Sequence, residues 1–382
     1  MSAVVVFIIF AICLIIAIPI SISLGIVAVL PGAFDASFTA SAGYVIRSMV
    51  GGIDSFPLLA VPMFVLAGIL MAHGKISEKL FDVFVYFLGN KRAGIPCAVI
   101  ITCLFYGAIS GSAPATVAAV GSMTIPLLIE LGYEKDFSTA IVAVAGGLGV
   151  IIPPSIPFIM YAMATGESVS DLFLAGIVPG MMISALLIFY AYYYCRRHGE
   201  DREKIQAKMD QLKTKGFVNI LKESIWALLS PVIVLGCIYS GVASPTEAAV
   251  ISVFYSLFVS LFIYKSIKVK QIWGIMVEAM KTYAPILFIL ATSTAFSRVL
   301  TLMQVPQDVS AWIMTHFSNE IVLLLVINVV LLIVGMVMDT TPAILILSPI
   351  LLPIVEHVGM NPIHFGVMMI VNLAVGFVTP PV

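Results

Sequence analysis

Long apolar runs almost free of charge constrain this 382-residue chain more than any other feature. Most of them are about 17 to 25 residues long, the length that an α-helix needs to cross a hydrocarbon core of roughly 30 Å. Charged residues make up 10% of the chain, whereas soluble domains carry about 25%. Such a chain has too little polar surface to face water on all sides. The sequence therefore predicts an all-α polytopic membrane protein.

The apolar runs predict a series of ordinary spanning helices, near 4–29, 56–73, 138–163, 172–195, 225–241, 246–265, 283–302 and 366–382. The first run lacks a basic start and a cleavage site, so we interpret it as a membrane helix and not as a signal peptide. The net charge of −1 gives no support for binding to nucleic acid. The cysteines form no CxxC pair and the histidines no HExxH motif, so we expect no zinc site. We also expect no organic cofactor, and no enzymatic activity, because all five histidines fall near the ends of spans.

Two further apolar regions, about 93–131 and 319–357, are each interrupted near the middle by small polar residues. The interruptions are Ser110–Pro114 and Asp339–Pro342. Each region could form two short spanning helices or one re-entrant hairpin, which enters the membrane and returns on the same side. A re-entrant hairpin would place non-helical backbone at membrane depth, where it persists only if it is buried in protein or lines a polar cavity.

Basic residues favour the hairpins. Lys and Arg are concentrated in the loop 196–216 and in 74–92 and 265–281, but are absent from 303–318 and 357–364. Because cytoplasmic loops carry the excess of Lys and Arg, both ends of the region 93–131 should be cytoplasmic. Both ends of 319–357 should be periplasmic. We therefore expect two re-entrant hairpins that enter from opposite faces.

Glycine and proline recur at a fixed spacing in the two halves of the chain. Gly107 and Pro114 match Gly335 and Pro342 at an offset of 228 residues, and the glycines and double prolines of 149–154 match those of 376–381 at 227. This pattern predicts two inverted repeats, each with a hairpin and a discontinuous helix broken at its double proline. Such repeats are typical of secondary transporters.

The prediction divides the chain into four parts. Residues 1–55 form an N-terminal scaffold helix and a periplasmic segment, and 56–165 form the first repeat. Residues 166–277 supply connecting scaffold helices with the basic cytoplasmic loop, and 278–382 form the second repeat. The second repeat stops at Val382, directly after its double proline, so we expect the native protein to continue.

The breaks also predict binding sites. Carbonyl groups freed at a helix end suit Na⁺, and the N-terminus of a returning helix suits a carboxylate. For about two Na⁺ sites we predict a first set of Gly107, Ser110, Gly149, Ile152 and Pro154, and a second set of Gly335, Asp339, Gly376, Thr379 and Val382. For the substrate anion we predict Ser110, Ser112, Ser155, Arg298, Thr340 and Thr341.

Several of these residues allow structural interpretations as well. Ser112 and Thr341 precede the prolines of the returning helices and could cap them. Asp339 could bind a cation, pair with Arg298 or cap a helix. Arg298 could hold a substrate carboxylate or extend to the membrane interface. We interpret Glu247 as part of a capping box, because it stands at the fourth position of Ser244–Glu247.

Four motifs carry a family resemblance: Gly107–Thr116 (GAISGSAPAT), Gly149–Ser155 (GVIIPPS), Gly241–Ala249 (GVASPTEAA) and Gly376–Pro381 (GFVTPP). Together they resemble the large membrane subunit, or permease, of TRAP (tripartite ATP-independent periplasmic) transporters. The motif containing Ser244 departs from the family only by a serine where threonine is usual.

The resemblance implies an elevator-type transport domain on a scaffold, in the bacterial inner membrane. It also implies uptake driven by Na⁺, a small four-helix membrane subunit and a periplasmic substrate-binding protein. Substrates of the family include sialic acid, C4-dicarboxylates and other organic acids. The alternatives are a carboxylate/Na⁺ symporter of inverted repeats that needs no binding protein, and a channel.

Overall fold

The computed structural model describes residues 2–35, 38–214, 216–316 and 319–380. These residues form helices joined by short connections, and no strand occurs within the described ranges. The predicted all-α class is therefore confirmed. By length and composition, eight described helical segments can cross a bilayer, or up to nine if the bent pair in 42–73 forms one span.

The helices, numbered in chain order, are α1 Ala3–Ile15, α2 Ile20–Phe34, α3 Ala42–Ile53, α4 Ala60–His73, α5 Ile76–Leu88, α6 Gly94–Ser110, α7 Ala113–Glu130, α8 Lys135–Gly146, α9 Leu148–Ile151, α10 Ile156–Thr165, α11 Val169–His198, α12 Arg202–Thr214, α13 Phe217–Tyr239, α14 Pro245–Phe258, α15 Val269–Leu302, α16 Val305–His316, α17 Glu320–Val337, α18 Thr340–His357 and α19 Pro362–Phe377. A 3₁₀ turn, Pro57–Leu59, precedes α4, and a π-helical turn, Val259–Ile263, follows α14.

The chain folds into two compact units, each assembled from separate parts of the sequence. The first unit consists of Met1–Leu59, Pro157–Leu172 and Lys281–Val382. The second unit consists of Ala60–Ile156 and Phe173–Met280. The predicted four-part division and its repeat boundaries stay a prediction.

In the first unit, α1 and α2 pack with the second half of α15. Phe10 stacks on Phe296 with ring centroids 6.1 Å apart, and Phe7 meets the same ring edge-on at 6.2 Å. A polar pair joins α17 to α19, because the Asn372 side chain donates to the Asn328 side chain at 2.7 Å. Amide pairs of this kind hold helices together in an apolar setting.

The second unit is built around α6, which is buried along most of its length and contacts α4, α5, α7, α8 and α13. The α6–α7 pair, called here the first hairpin, matches the predicted region 93–131. Likewise α17 and α18, called the second hairpin, match 319–357.

Some expectations about the helices were wrong. The predicted helix 4–29 is two helices, α1 and α2, because the chain turns at Ala17, where φ is +63°, and Pro19 then starts a new helix. Both halves are apolar, so composition hides the break. The basic region 196–216 is not all loop either, since it contains α12, whose Ile205, Met209 and Leu212 are buried. The last predicted span ends at Phe377, before its double proline.

One buried carboxylate ties both ends of the first hairpin to the segment that follows α11. The Glu200 side chain, which is 2% exposed, accepts hydrogen bonds from the Ala93 N–H at 3.0 Å and the Tyr133 hydroxyl at 2.7 Å. Arg202 donates to its other oxygen at 3.0 Å. Burial, together with the bond to Glu200, raises the pKa of Tyr133, so the phenol stays a donor at physiological pH.

Replacing this carboxylate should loosen the base of the first hairpin. Glu200→Ala leaves the Ala93 N–H and the Tyr133 hydroxyl without their acceptor. We expect a loss of about 2–3 kcal/mol in the free energy of unfolding, at the lower end for a buried ion pair because Arg202 is half exposed. This loss is measured as a lower midpoint of thermal unfolding of the purified protein in detergent. Glu203→Ala is the control, because Glu203 is exposed. Equal midpoints for the two variants would contradict the assignment.

Candidate functional site

The tip of the first hairpin lies where the sequence predicts it. Helix α6 ends at Ser110 and α7 begins at Ala113, so Gly111 and Ser112 form the turn. Gly111 has a φ of +62°, and a Cβ there would lie 2.9 Å from the carbonyl oxygen of Pro154. Both the left-handed backbone and this close approach require glycine.

The predicted break in the following helix is also present, and it lies against this tip. The chain is non-helical from Ile152 to Ser155. The Ile156 N–H, just after the break, donates to the Gly111 carbonyl at 3.2 Å. Within the break, the buried Ser155 hydroxyl donates to the Val150 carbonyl at 2.6 Å. The two interruptions thus satisfy part of each other's backbone, as buried polar groups require.

A cluster of oxygen atoms surrounds the tip. The Ser110 and Thr116 hydroxyl oxygens lie 3.0 Å apart, and the Thr116 hydroxyl donates to the Ser112 carbonyl at 2.8 Å. Both hydroxyl-bearing side chains are buried. A Cβ on Gly149 would lie 2.5 Å from the Thr116 hydroxyl oxygen. The structure therefore brings Ser110, Ser112 and Gly149 together, with Gly107 one turn before the tip.

Thr116 belongs to this cluster but was not predicted. Its sequence signal is the spacing from Ser112, since residues four apart on a helix share a face. The prediction that the Ser112 side chain caps α7 was only partly right. Ser112 occupies the N-cap position, but its side chain makes no capping hydrogen bond within the described residues.

The second hairpin turns at Met338 and Asp339. Asp339 is the N-cap of α18 and accepts from the Thr340 N–H at 2.6 Å and the Thr340 hydroxyl at 3.2 Å. The prediction of Thr341 as the cap was therefore wrong, because the helix begins one residue earlier. No ion pair between Asp339 and Arg298 occurs among the described residues, so of the structural alternatives for Asp339 the helix cap is the one present.

Each of the two units contains a close approach between two glycines. In the second unit, a Cβ on Gly107 would lie 2.6 Å from the Gly149 Cα. In the first unit, a Cβ on Gly335 would lie 3.1 Å from the Gly376 Cα and 2.8 Å from the Leu373 carbonyl oxygen. These are the residues that the sequence offset relates. The first pair lets a hairpin arm meet the broken helix backbone to backbone, and the second lets a hairpin arm meet the end of α19 in the same way.

The remaining predicted ligands divide among several places. Pro154 contributes its carbonyl beside Gly111, whereas the Ile152 side chain contacts Gly180. Thr379 donates its hydroxyl to the Val375 carbonyl at 2.7 Å, just after α19. Val382 lies outside the described residues. Thr340 and Thr341 are buried at the start of α18.

Among the described residues no ion pair joins Arg298 to the second hairpin tip. It lies late in α15 and lines a cavity of about 530 Å³ within the first unit. Thr294, Ser297 and Glu167 line the same cavity, whereas Asp339, Thr340 and Thr341 are not part of its described lining.

Glu247 is structural, as predicted. Its carboxylate accepts from the Ser244 N–H at 2.8 Å, and its own N–H donates to the Ser244 hydroxyl at 3.3 Å. This is the predicted capping box, and it starts α14.

Comparison with known proteins places these features in a family. The profile of the family described as "Tripartite ATP-independent periplasmic transporter, DctM component" matches residues 7–382. The isethionate TRAP transporter permease protein DctMQ of Oleidesulfovibrio alaskensis is 43% identical over 98% of this chain, which spans 58% of that relative's length. The C4-dicarboxylate TRAP transporter large permease protein DctM of Pseudomonas aeruginosa is 40% identical, over 86% of this chain and 76% of the relative.

Other matches extend this picture. The 2,3-diketo-L-gulonate TRAP transporter large permease protein YiaN of Escherichia coli is 38% identical, over 88% of this chain and 78% of its own. Among solved structures, the YdaH transporter of Alcanivorax borkumensis, described as having an unusual topology, superposes with a TM-score of 0.60 at 15% identity. That match covers 97% of this chain and 87% of YdaH, and it shows a shared fold.

The glycine contacts give a direct test of the site's packing. Gly107→Ala places a methyl group against the backbone of Gly149, which cannot rotate away, so we expect a loss of about 1–3 kcal/mol in the free energy of unfolding. Gly236→Ala in α13 is the control, since a Cβ there meets no described atom within 4 Å. The control should be neutral or stabilising by up to about 1 kcal/mol. Thermal unfolding in detergent distinguishes them, and an unchanged midpoint for Gly107→Ala would disprove the contact.

Proposed function

Because the chain belongs to the family of the DctM component of tripartite ATP-independent periplasmic transporters, we propose that it is the transport subunit of a complex that takes up a small organic anion with Na⁺. Relatives are named for isethionate, C4-dicarboxylate and 2,3-diketo-L-gulonate. All three are small organic acids. The proposed substrate is an acid of this class, within which we include sialic acid.

The repeated glycine contact carries the proposal. Gly107 against Gly149 in one unit has its counterpart in Gly335 against Gly376 in the other. The first contact joins a hairpin arm to the helix that breaks beside the tip, and the second joins a hairpin arm to the end of α19, where the sequence predicts a break. We interpret the two arrangements as copies of one element, and the distribution of basic loops favours their insertion in opposite senses. Paired broken elements of this kind suit a carrier, whereas a channel has no need of them.

The first hairpin tip supports a Na⁺ site made of neutral oxygen atoms. Ser110, Thr116 and the Ser112 carbonyl lie within hydrogen-bonding distance of one another. Hydroxyl and carbonyl oxygens are hard ligands that suit hard cations. Na⁺ is cargo here, and it would compete with the hydroxyl hydrogen bonds for the same oxygen lone pairs. The carbonyls of Ile152 and Pro154 belong to the adjacent break and complete the proposed set.

The second hairpin tip supports a site of a different kind, because it has a carboxylate. Asp339 is exposed at the tip, and it accepts both of its hydrogen bonds from Thr340 through one oxygen, Oδ1. The other oxygen is the proposed Na⁺ ligand. The glycine contact of Gly335 with Gly376 places the end of α19 beside the same arm, and Thr379 follows directly.

The substrate anion is proposed to meet the N-terminal ends of the returning helices. Helix α7 begins at Ala113 and α18 at Thr340. The first N–H groups of a helix have no intrahelical acceptor, and the helix dipole favours negative charge there. Ser112, Thr340 and Thr341 add hydroxyl donors at these two ends, and Ser155 lies in the break beside the first.

The complex and its movement are also part of the proposal. We propose that hairpins and broken helices move as an elevator on the scaffold helices, in the bacterial inner membrane. A small four-helix membrane subunit completes the membrane part, and a periplasmic binding protein delivers the acid. The exposed apolar residues along α11 and α17 suit lipid or that subunit.

Reconstituted uptake tests this function. The chain and its small subunit are placed in liposomes, and uptake of candidate acids is measured with and without a Na⁺ gradient and the binding protein. We expect saturable uptake only when both are present. Uptake without the soluble protein would favour a symporter that works alone, and uptake without saturation would favour a channel.

Two substitutions test the Na⁺ sites. Ser110→Ala removes a hydroxyl oxygen, and Asp339→Asn removes a charge while keeping a good helix cap. We expect each to raise the Na⁺ concentration for half-maximal uptake on the order of tenfold or more, since ligands to a charged group contribute about 1.5–3 kcal/mol. Ser122→Ala, in the same hairpin, and Asp308→Asn are the matched controls. An unchanged Na⁺ dependence in both test variants would remove these residues from the ion sites.

A further inference from the structure

The Arg298 cavity is large enough for a small organic molecule. Its volume of about 530 Å³ falls within the roughly 300–1,000 Å³ typical of ligand pockets. The end of α3, the segment 162–169, α15 and α18 all contribute to its wall. All of the residues that line it belong to the first unit.

Two glycines at the end of α3 shape this wall. A Cβ on Gly52 would lie 2.7 Å from the Thr294 Cβ, so α3 and α15 meet as closely as the backbone allows. Gly51 differs, because the nearest atom to its Cβ would be the Arg298 Nη1 at 3.8 Å. A side chain longer than a methyl group at Gly51 would therefore reach the guanidinium. As glycine, it leaves the guanidinium accessible from the cavity.

The Arg298 guanidinium forms no ion pair within the described residues. Its side chain is exposed. A guanidinium carries five N–H donors in a planar fork that matches the oxygens of a carboxylate or sulfonate. An unpaired guanidinium on the wall of a cavity is thus suited to an oxyanion.

Hydroxyl-bearing side chains line the same cavity as the guanidinium. Ser297 precedes it, and Thr294 lies one turn earlier on the same face of α15. The Thr294 hydroxyl donates to the Leu290 carbonyl at 2.9 Å but keeps its lone pairs as acceptors. Across the cavity, the Ser55 hydroxyl lies 3.9 Å from the Met163 sulfur, a weak acceptor. These groups can exchange hydrogen bonds with hydroxyls of a ligand.

The charges of the lining select against a second negative group. Arg298 is the one cation and Glu167 the one carboxylate among the described residues of the wall. A dicarboxylate would bring two charges to a single guanidinium, and its second charge would share the cavity with Glu167. Like charges in one cavity repel, which is a common way to exclude a wrong ligand.

We propose that this cavity is a binding site for a small organic monoanion with hydroxyl groups, separate from the hairpin tips, in which Arg298 holds the oxyanion and Glu167 rejects dianions. The site rests on the proposed function, because it narrows the organic acids of that function to singly charged, hydroxylated ones. Arg298 and Glu167 are then the residues that determine specificity.

Measuring anion binding to the membrane complex alone tests this site, because the selectivity of the periplasmic binding protein then plays no part. The purified membrane complex is titrated calorimetrically with monoanions (2-hydroxyethanesulfonate, gluconate and N-acetylneuraminate) and with the dianions succinate and malate. We expect at least one monoanion to bind more tightly than either dianion. Arg298→Gln should weaken its binding on the order of ten- to a hundredfold, and Arg298→Lys less so. Glu167→Gln should reduce the preference over dianions.

Arg47→Gln is the control, because Arg47 is an exposed arginine of α3 that does not line the cavity. If Arg298→Gln does not fold, the selectivity of Glu167→Gln still decides the matter. Preference for dianions, absence of binding to all monoanions or unchanged affinity in a folded Arg298→Gln overturns the site. A failure of the proposed function would give a different result: the wild-type complex would bind the anion but show no Na⁺-dependent uptake.

Discussion

The hydrogen bond from the Ile156 N–H to the Gly111 carbonyl joins two interruptions of helical backbone, and the arrangement around the first hairpin depends on it. Each interruption alone would leave buried polar groups unpaired, at a cost of about 1–3 kcal/mol each. Placed side by side, the hairpin tip and the helix break each supply part of what the other lacks. Ser155 adds a side-chain donor for the Val150 carbonyl. Non-helical backbone can therefore exist within an apolar protein.

The sequence-equivalent positions of the second hairpin satisfy their polar groups differently. Ser110 and Thr116 correspond by the offset of 228 to Met338 and Ile344, so the hydroxyl pair has no counterpart there. Asp339 instead takes the place of Gly111, and its carboxylate caps α18. The proposed cation sites would then differ in charge, with neutral oxygens at the first tip and a carboxylate at the second. A charged ligand attracts a cation at longer range, while neutral oxygens discriminate mainly by geometry.

The sequence predicts a feature well when the residues that cause it act on their own backbone, and poorly when the feature depends on residues far away in the chain. Breaks at Gly111 and at Pro153–Pro154 were predictable because glycine and proline act on their own backbone. The break between α1 and α2 was not predictable, and the sequence left the cap of α18 open between Asp339 and Thr341, since several neighbouring residues could begin each helix. The choice depends on packing with distant residues. Thr116 and the Arg298 cavity were missed for the same reason: each gains its meaning from residues far away in the chain, Gly149 and Gly51.

Glycine serves opposite purposes in the two places that matter most here. At Gly107 it allows two backbones to come into contact, because the backbone of Gly149 occupies the position that a side chain would need. At Gly51 it preserves space, because a longer side chain would fill the cavity in front of Arg298. The sequence shows the same residue in both cases, within apolar helices of similar composition. Only the distance from the missing Cβ to its nearest neighbour, 2.6 Å in the first case and 3.8 Å in the second, separates a helix contact from a binding site.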